Sequence, residues 1–412
     1  MLLERYVWHQ RERSFASRSA DRYAAGVDFA ESEEHALLRD SVAKVARGYG
    51  HGYFQEKTNT GGKMDELWKE VADLGFLGVH LPEAYGGGGG GISELTIVCE
   101  EVAAAGCPLL LILVTAAICA EVISRFGSDE QKQRWLPGLA TGEKMVFAIT
   151  EPDAGSNSHN LSTTATRDGD IWKLRGSKTF ISGVDEAPEV LVVARTGTDE
   201  STGHARLSLF VVPTDAPGLE RQLIPIEIRA PEKQFTLFFD DVEVAADRLI
   251  GEPGDGLRQV FFGLNPERIT GASIATGIGR YSLERASEYA RDRRVWEVPI
   301  GAHQGVAHPL AEAKIELELA RLMLTKAAWL HDHDADRKAA GEAANMAKYA
   351  AAEAGMHCLD TAIQAHGGNG MASEYGLADL WGMTRLLRIA PVSREMILNF
   401  VATQSLGLPK SY

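Results

Sequence analysis

Residues 147–183 read FAITEPDAGSNSHNLSTTATRDGDIWKLRGSKTFISG. The run Met145 to Thr150 is apolar and strand-like, and it opens into Glu151-Pro152-Asp153-Ala154-Gly155-Ser156-Asn157. Small residues in such a loop leave backbone N–H groups free to face an anion. A strand-turn-strand unit follows and ends in Lys178-Thr179-Phe180-Ile181-Ser182-Gly183. An anion-holding loop, an aromatic ring and a hydroxyl at short range suit a large planar cofactor with a phosphate tail. Taken alone, a stretch this rich in Gly, Pro, Asp and Ser also reads as an ordinary turn.

Working outward, the period of the sequence changes on both sides. Upstream, Asp28 to Gly50, Met64 to Leu74, Ile92 to Ala105 and Leu109 to Phe126 carry helical patterns. Ser128-Asp129-Glu130-Gln131 has the form of a helix start for an element ending near Gly138. The six consecutive glycines Gly86 to Gly91 lack the Lys-Ser/Thr ending of a phosphate loop and read as a flexible surface loop. Downstream, Leu191 to Ala194, Leu207 to Val212 and Phe235 to Phe239 are β-rich runs separated by turn clusters. After Gly256 the pattern is helical again, over Leu257 to Arg291, Pro309 to Asp332, Arg337 to Gly367 and Ser393 to Gly407. The third of these holds an alanine-rich stretch, Ala339 to Ala354, that fits close helix packing. The expected fold is a multi-domain α+β chain: an extension over 1–27, an all-α domain over 28–144, a middle β-barrel or sandwich over 145–256, and a C-terminal four-helix bundle over 257–412.

Bulk composition sets limits. A chain of 412 residues is too long for one small core. The net charge of −15 argues against nucleic acid and acidic membrane surfaces as partners. Cys99, Cys107, Cys119 and Cys358 have no metal-site spacing, and the first three sit in apolar surroundings. Reduced core thiols point to a reducing, cytoplasmic setting. The first twenty residues have no apolar h-region, so no secretory signal is expected. Val102 to Ala120 is uncharged and close to membrane-span length, but Gly106-Cys107-Pro108 breaks it, so two buried helices meeting at a bend are expected. His331-Asp332-His333-Asp334 reads as a solvated turn at a charged helix end rather than a metal site, and no metal is expected.

The stretch from Thr150 to Ser182 resembles the flavin-covering segment of the acyl-CoA dehydrogenase family, whose pattern is T-E-P-x-x-G-S, then G-x-K, then an aromatic, Ile and Thr or Ser. The matching residues are Thr150-Glu151-Pro152, Gly155-Ser156, Gly176-Ser177-Lys178 and Phe180-Ile181-Ser182. The resemblance spans about 28–407 and recurs at four motifs in the expected order, which is far more specific than any one of them. It implies FAD as cofactor and an acyl-CoA thioester as substrate, dehydrogenated to a trans-2-enoyl-CoA within fatty-acid metabolism. It also implies an electron-transfer flavoprotein as acceptor and a homotetramer built as a dimer of dimers.

The same resemblance assigns residues. Phe147, Ile149 and Thr150 fall on one side of the flavin ring, Gly155 and Ser156 at the pyrophosphate, Phe180 in the usual place of a stacking Trp, and Ser182 at a hydroxyl contact. Ser156 also falls to the substrate side. Arg293-Arg294-Val295-Trp296 is similar to the family's R-x-x-F and Gln304 follows at the proper interval, placing Arg293, Trp296 and Gln304 on the FAD of a neighbouring subunit. Trp296 stands for Phe there and Glu297 for Gly. Gln364-Ala365-His366-Gly367-Gly368 resembles Q-x-x-G-G, so Gln364, Gly367 and Gly368 are cofactor residues and His366 is a packing residue. Ser393 matches a threonine near the flavin edge and Glu395 a flavin-side polar position.

Dehydrogenation needs a carboxylate to take the α-proton. Where many members carry it near the C-terminus, this chain has Pro391, which accepts no proton. The isovaleryl-type and long-chain branches carry it in L-x-x-E-R. Leu264-Asn265-Pro266-Glu267-Arg268 matches that motif, so Glu267 is the expected base. Asn265 is expected to cap, Pro266 to sit in the first turn, and Glu267 to benefit from the helix N-terminus. Arg268 resembles an arginine near the CoA phosphates, with a solvated side chain as the alternative. The rivals on this reading are an acyl-CoA oxidase or flavin monooxygenase of the same fold, and a non-catalytic subunit that binds acyl-CoA or FAD.

Overall fold

The computed structural model describes residues 30–333 and 336–410. The extension expected over 1–27 and Asp334 lie outside these residues. Helix α1 (Glu33–Thr60) starts where Ser32 Oγ accepts from His35 N at 3.1 Å. It runs ten residues past the expected end at Gly50, which sits inside it at φ +67° and bends it. Leu38, Val42, Ala46 and Phe54 form its buried face. Helix α2 (Asp65–Asp73) buries Leu67, Trp68 and Val71.

The glycine run is not the flexible surface loop its composition suggests. Gly87 N donates to Pro82 O at 3.2 Å, Gly88 N to Gly78 O at 3.0 Å, Gly89 N to Leu81 O at 2.9 Å and Gly90 N to Val79 O at 3.0 Å. A Cβ on Gly87 would lie 2.1 Å from Leu81 O, so these residues let two backbone strips touch. Gly87→Ala should lower stability by about 3 kcal/mol or more, the upper range for overpacking. Thermal melts of the two proteins check this, and equal midpoints would return the run to a simple linker.

Helix α3 (Ile92–Ala104) is buried along almost its whole length. Gly106, at φ +82°, turns the chain into helix α4, wound as a π-helix over Ile112–Ala120 and as an α-helix over Glu121–Phe126. The uncharged stretch from Val102 is thus two buried segments meeting at a bend. No helix among the described residues is long and apolar enough to cross a membrane. Helix α5 (Asp129–Ala140) begins in a capping box between Ser128 and Gln131.

One eight-stranded sheet follows: β1 (Met145–Ala148), β2 (Thr164–Asp168), β3 (Ile171–Ser182), β4 (Glu189–Thr198), β5 (Ala205–Pro213), β6 (Leu219–Ile224), β7 (Gln234–Ala245) and β8 (Leu249–Ile250). Its order is β6-β7-β3-β2-β4-β5-β8, with β1 joined parallel to β4. The β-rich runs seen in the sequence fall inside β4, β5 and β7. The pairing of β3 with β7 slips twice, and the second slip, between Lys178 and Ile181, puts Phe180 outside the ladder.

The remaining chain is helical. Helix α6 (Gly256–Asp292) leads through the hairpin β9 (Arg294–Val295) and β10 (Val298–Pro299) into α7 (Gln304–Asp332) and α8 (Arg337–His366). Short helices α9 (Trp381–Leu386) and α10 (Arg394–Phe400) follow, and α10 continues as a π turn to Ser405. Helix α6 is central: a Cβ on Gly277 would meet Glu100 O of α3 at 2.5 Å, and one on Gly355 of α8 would meet Ala275 O at 2.6 Å. Buried charges lock the same helices. Glu100 accepts from Arg39 of α1 at 2.8 Å and from Arg321 of α7 at 2.8 Å, while Glu101 accepts from Arg39 and from Arg280 of α6. Burial opposes ionisation of Glu100, but the arginines outweigh it and hold the carboxyl at about 2. Asp332, expected to be solvated, is half-buried and caps α3 by accepting from Ile92 N at 2.7 Å and Ser93 N at 2.8 Å.

Candidate active site

Strand β1 delivers Phe147, and Ile149 and Thr150 lie just beyond its end; all three are half-buried. The loop after them is held by a residue that received no role from the sequence. Lys178 is fully buried, and its Nζ donates to Ile149 O at 2.9 Å and to Glu151 Oε1 at 2.8 Å. Glu151 also accepts from Ser162 N and Oγ, each at 2.6 Å, and from Thr163 N at 3.0 Å. Burial favours the neutral acid, but Lys178 and these donors outweigh it and hold Glu151 at about 2. Burial pushes the Lys178 ammonium down to about 8, against Glu151. Both groups are charged at neutral pH. The Glu of T-E-P and the Lys of G-x-K are thus a buried brace between the Thr150–Ser156 loop and strand β3.

Phe180 follows on that strand at φ +56° and is 61% exposed. A bulky side chain in the left-handed region is strained, and such residues persist where the surroundings impose them. The ring is thereby presented to open space beside the loop. Ser182 hydrogen-bonds the Gln234 side chain, with Gln234 Nε2 donating at 2.8 Å. Gly155 and Ser156 are exposed, and a Cβ on Gly155 would meet nothing within 4 Å.

A second group gathers at the far end of α6. Arg293 and Gln304 are exposed, and Trp296 tips the β9–β10 hairpin at φ +58° with 85% of its surface exposed. Glu297 takes the turn without a positive φ; the strain falls on Trp296 instead. Gln364, Gly367 and Gly368 are exposed at the end of α8, and neither glycine has an atom within 4 Å of where a Cβ would stand. His366 is buried, stacked 4.2 Å from Tyr289, with Nδ1 bonded to Ala362 O at 2.8 Å. It packs, as expected. Bare backbone, strained exposed aromatics and exposed arginine form surfaces that fit a flavin and its pyrophosphate tail.

Glu267 lies inside this architecture, but not where local signals put it. Helix α6 begins at Gly256, so Asn265 does not cap it, Pro266 is interior, and Glu267 is three turns from the N-terminus. The helix extends upstream because Gly263 packs against Val122 and Ile118 of α4 and Val260 is buried. Part of the Glu267 side chain is open, but Oε2 is sealed from solvent without a hydrogen-bond partner. Burial pushes the carboxyl up to about 8, with Arg268 and Lys348 pulling the other way. The Cys119 thiol is raised by burial and then by the nearby Glu267. Arg268 is buried too, so it is not a solvated side chain; its Nη1 donates to Asn265 Oδ1 at 2.7 Å and its Nε has no partner. Gly271, one turn beyond Glu267 on the same face, has room for a Cβ 3.5 Å from Leu113 and 4.0 Å from Pro391. Pro391 therefore faces the helix that carries Glu267. Ser393 caps α10 by accepting from Met396 N at 3.3 Å, and Glu395 is exposed beside it. Lys348, missed in the sequence, is a lone buried lysine in the alanine-rich part of α8.

Three family models match in chain order: acyl-CoA dehydrogenase, N-terminal domain, over residues 32–143; middle domain, over 146–242; and C-terminal domain, over 254–406. The chain belongs to the acyl-CoA dehydrogenase family, an enzyme family of flavoprotein oxidoreductases, and its cofactor is FAD. It is 57% identical over 385 residues to the acyl-CoA dehydrogenase FadE12 of Mycobacterium tuberculosis, covering 93% of this chain and 99% of that one. The structure of butyryl-CoA dehydrogenase from Megasphaera elsdenii matches with a TM-score of 0.84 at 28% identity, over 92% of this chain and 100% of that chain. A glutaryl-CoA dehydrogenase from Mycobacterium smegmatis in complex with FADH2 matches with a TM-score of 0.85 at 26% identity, over 93% and 97% of the two chains.

Proposed function

We propose that this enzyme converts an acyl-CoA thioester to its trans-2-enoyl-CoA, with Glu267 as the base that removes the α-proton. The observation that carries the reading is the buried, unpartnered Glu267 Oε2 on a carboxyl pushed up to about 8. A carboxylate stripped of water and of hydrogen bonds is a strong enough base for a C–H proton made acidic by a thioester. Bound FAD supplies the acceptor for the hydride leaving the β-carbon. Phe147, Ile149, Thr150, Phe180 and Ser182 bound the ring, Gly155 and Ser156 the pyrophosphate, and Ser393 and Glu395 the outer edge. Arg293, Trp296 and Gln304 hold the FAD of a neighbouring subunit, and Gln364, Gly367 and Gly368 present side chain and bare backbone to FAD phosphate. The exposure of Trp296 and Arg293 in one copy of the chain supports that sharing, and with it at least a dimer; the family resemblance extends this to a homotetramer. An electron-transfer flavoprotein takes the electrons onward, and four buried free thiols support a reducing, cytoplasmic setting. The functional units follow 28–144, 145–256 and 257–412.

Anaerobic titration of the FAD-loaded protein with straight and branched acyl-CoAs tests this. A subset of thioesters should bleach the flavin band. Below the Glu267 midpoint of about 8 the rate should rise about tenfold per pH unit, since only the ionised carboxyl accepts the proton. A flavin that binds and never bleaches would favour the non-catalytic subunit, and fast reoxidation by oxygen the oxidase.

A further inference from the structure

Lys348 is a buried lysine with an unusual partner. An ammonium taken out of water is ordinarily found paired with a carboxylate. Its Nζ donates instead to a backbone carbonyl, Val392 O, at 2.5 Å, and no other acceptor is bonded to it among the described residues. Val392 sits between Pro391, which faces α6 one turn beyond Glu267, and Ser393, which caps α10. Holding that one carbonyl fixes the loop that lies across from the base.

The charged groups around the ammonium are Arg268 and Glu267 on α6, Glu353 on its own helix, and Glu395 on α10. Glu353 is occupied, accepting from Arg388 Nε at 2.9 Å and from Arg394 Nε at 3.1 Å. Glu395 is exposed and lies 3.9 Å from Arg394. Glu267 is half-buried, but its Oε2 is sealed from solvent without a hydrogen-bond partner, and its carboxyl has no ion pair within 4 Å among the described residues. A buried ammonium bonded to the loop that faces α6 is therefore matched by an acid on α6 whose sealed oxygen has no donor.

We propose that Lys348 is a positioning residue for the reaction: from α8 it holds the Pro391–Ser393 loop across from Glu267 and adds to Arg268 a second positive charge that favours the ionised Glu267. This rests on Glu267 as the base. A nearby cation favours the ionised acid. Burial, followed by Arg268, pushes the Lys348 ammonium itself down to about 8, with Glu267 opposing. The two groups change charge over one pH range. The working combination, an ionised Glu267 facing a charged Lys348, is most populated near pH 8.

The test compares Lys348→Met and Lys348→Arg with the parent as FAD-loaded proteins. Infrared difference titration of the substrate-free protein, with Glu267→Gln as the blank, reads the Glu267 carboxyl without turnover. Lys348→Met should raise its midpoint by about one pH unit or more, so that flavin reduction at pH 7 slows about tenfold. Lys348→Arg should restore both to within about twofold to threefold, since the charge remains. An unmoved midpoint in a folded Lys348→Met protein overturns the proposal, as does an arginine variant no better than methionine. Should Lys348→Met alone fail to fold, its thermal cost is compared in the Glu267→Gln background. A smaller cost there supports the proposal, because the cation no longer has an acid to serve, and an equal failure in both backgrounds overturns it. Flavin reduction that survives in Glu267→Gln would sink the base assignment instead, and the infrared titration would still judge Lys348.

Discussion

Glu267→Gln is expected to fold, take up FAD and bind acyl-CoA, and to reduce its flavin about 10²- to 10⁴-fold more slowly, the usual weight of a general base. Glutamine keeps the shape of the side chain and cannot accept the proton. The same substitution carries a stability signature. The acid has an ordinary value of 4.5 and is raised to about 8 in the folded chain, mainly by burial. The folded state therefore binds that proton more tightly than the unfolded one. Its contribution is complete below the unfolded value of 4.5 and is lost as pH rises through about 8. The parent should lose stability relative to the variant between pH 5 and pH 9, and thermal melts at those two values read the difference. A variant that reduces flavin at the parental rate would remove Glu267 from the chemistry. Melts that shift in parallel would show that its burial costs nothing.

Lys178→Met should cost about 3–5 kcal/mol and most of the FAD, because it leaves the buried Glu151 carboxylate without its cation. The Ile149 carbonyl loses a donor at the same time, so the Thr150–Ser156 loop and the strand carrying Phe180 are both released. Glu151→Gln/Lys178→Met removes both charges and should recover part of the stability but not the grip on flavin. Melting curves and the FAD-to-protein ratio after gel filtration measure the two effects separately. A single variant that melts like the parent and stays yellow would reduce the pair to decoration. Acid should act on the same brace. Glu151 is held at about 2, so its stabilisation is present above 4.5 and fades as pH falls towards 2.

Much of this was legible in the sequence because periodicity and turn chemistry are local. The helical, β and helical thirds, the strands at Leu191, Leu207 and Phe235, and the loop after Thr150 are all written in residue type. The failures share a physical cause. Asn265-Pro266 has the chemistry of a helix start, yet α6 begins at Gly256 because Gly263 packs against α4 and Val260 is buried, and tertiary contact outweighs the cap. Six glycines look like a linker until two backbone strips are seen pressed together at Leu81 and Val79. The strain at Phe180 and Trp296 is a property of φ, which a side-chain alphabet does not display. Lys178 and Lys348 were visible as letters, one in a motif and one alone among alanines. Their partners, 27 and 44 residues away, were not.

The four free cysteines give the chain a built-in record of its own breathing. Each is buried in a different place: Cys99 in α3, Cys107 at the bend before α4, Cys119 near Glu267, and Cys358 in α8. An alkylating reagent reaches such a thiol only while the helices around it are parted, so each sulfur clocks the opening of its own neighbourhood. Comparing the four labelling rates with and without bound ligand would draw a map of which seams loosen, and how often, without adding a probe to the molecule.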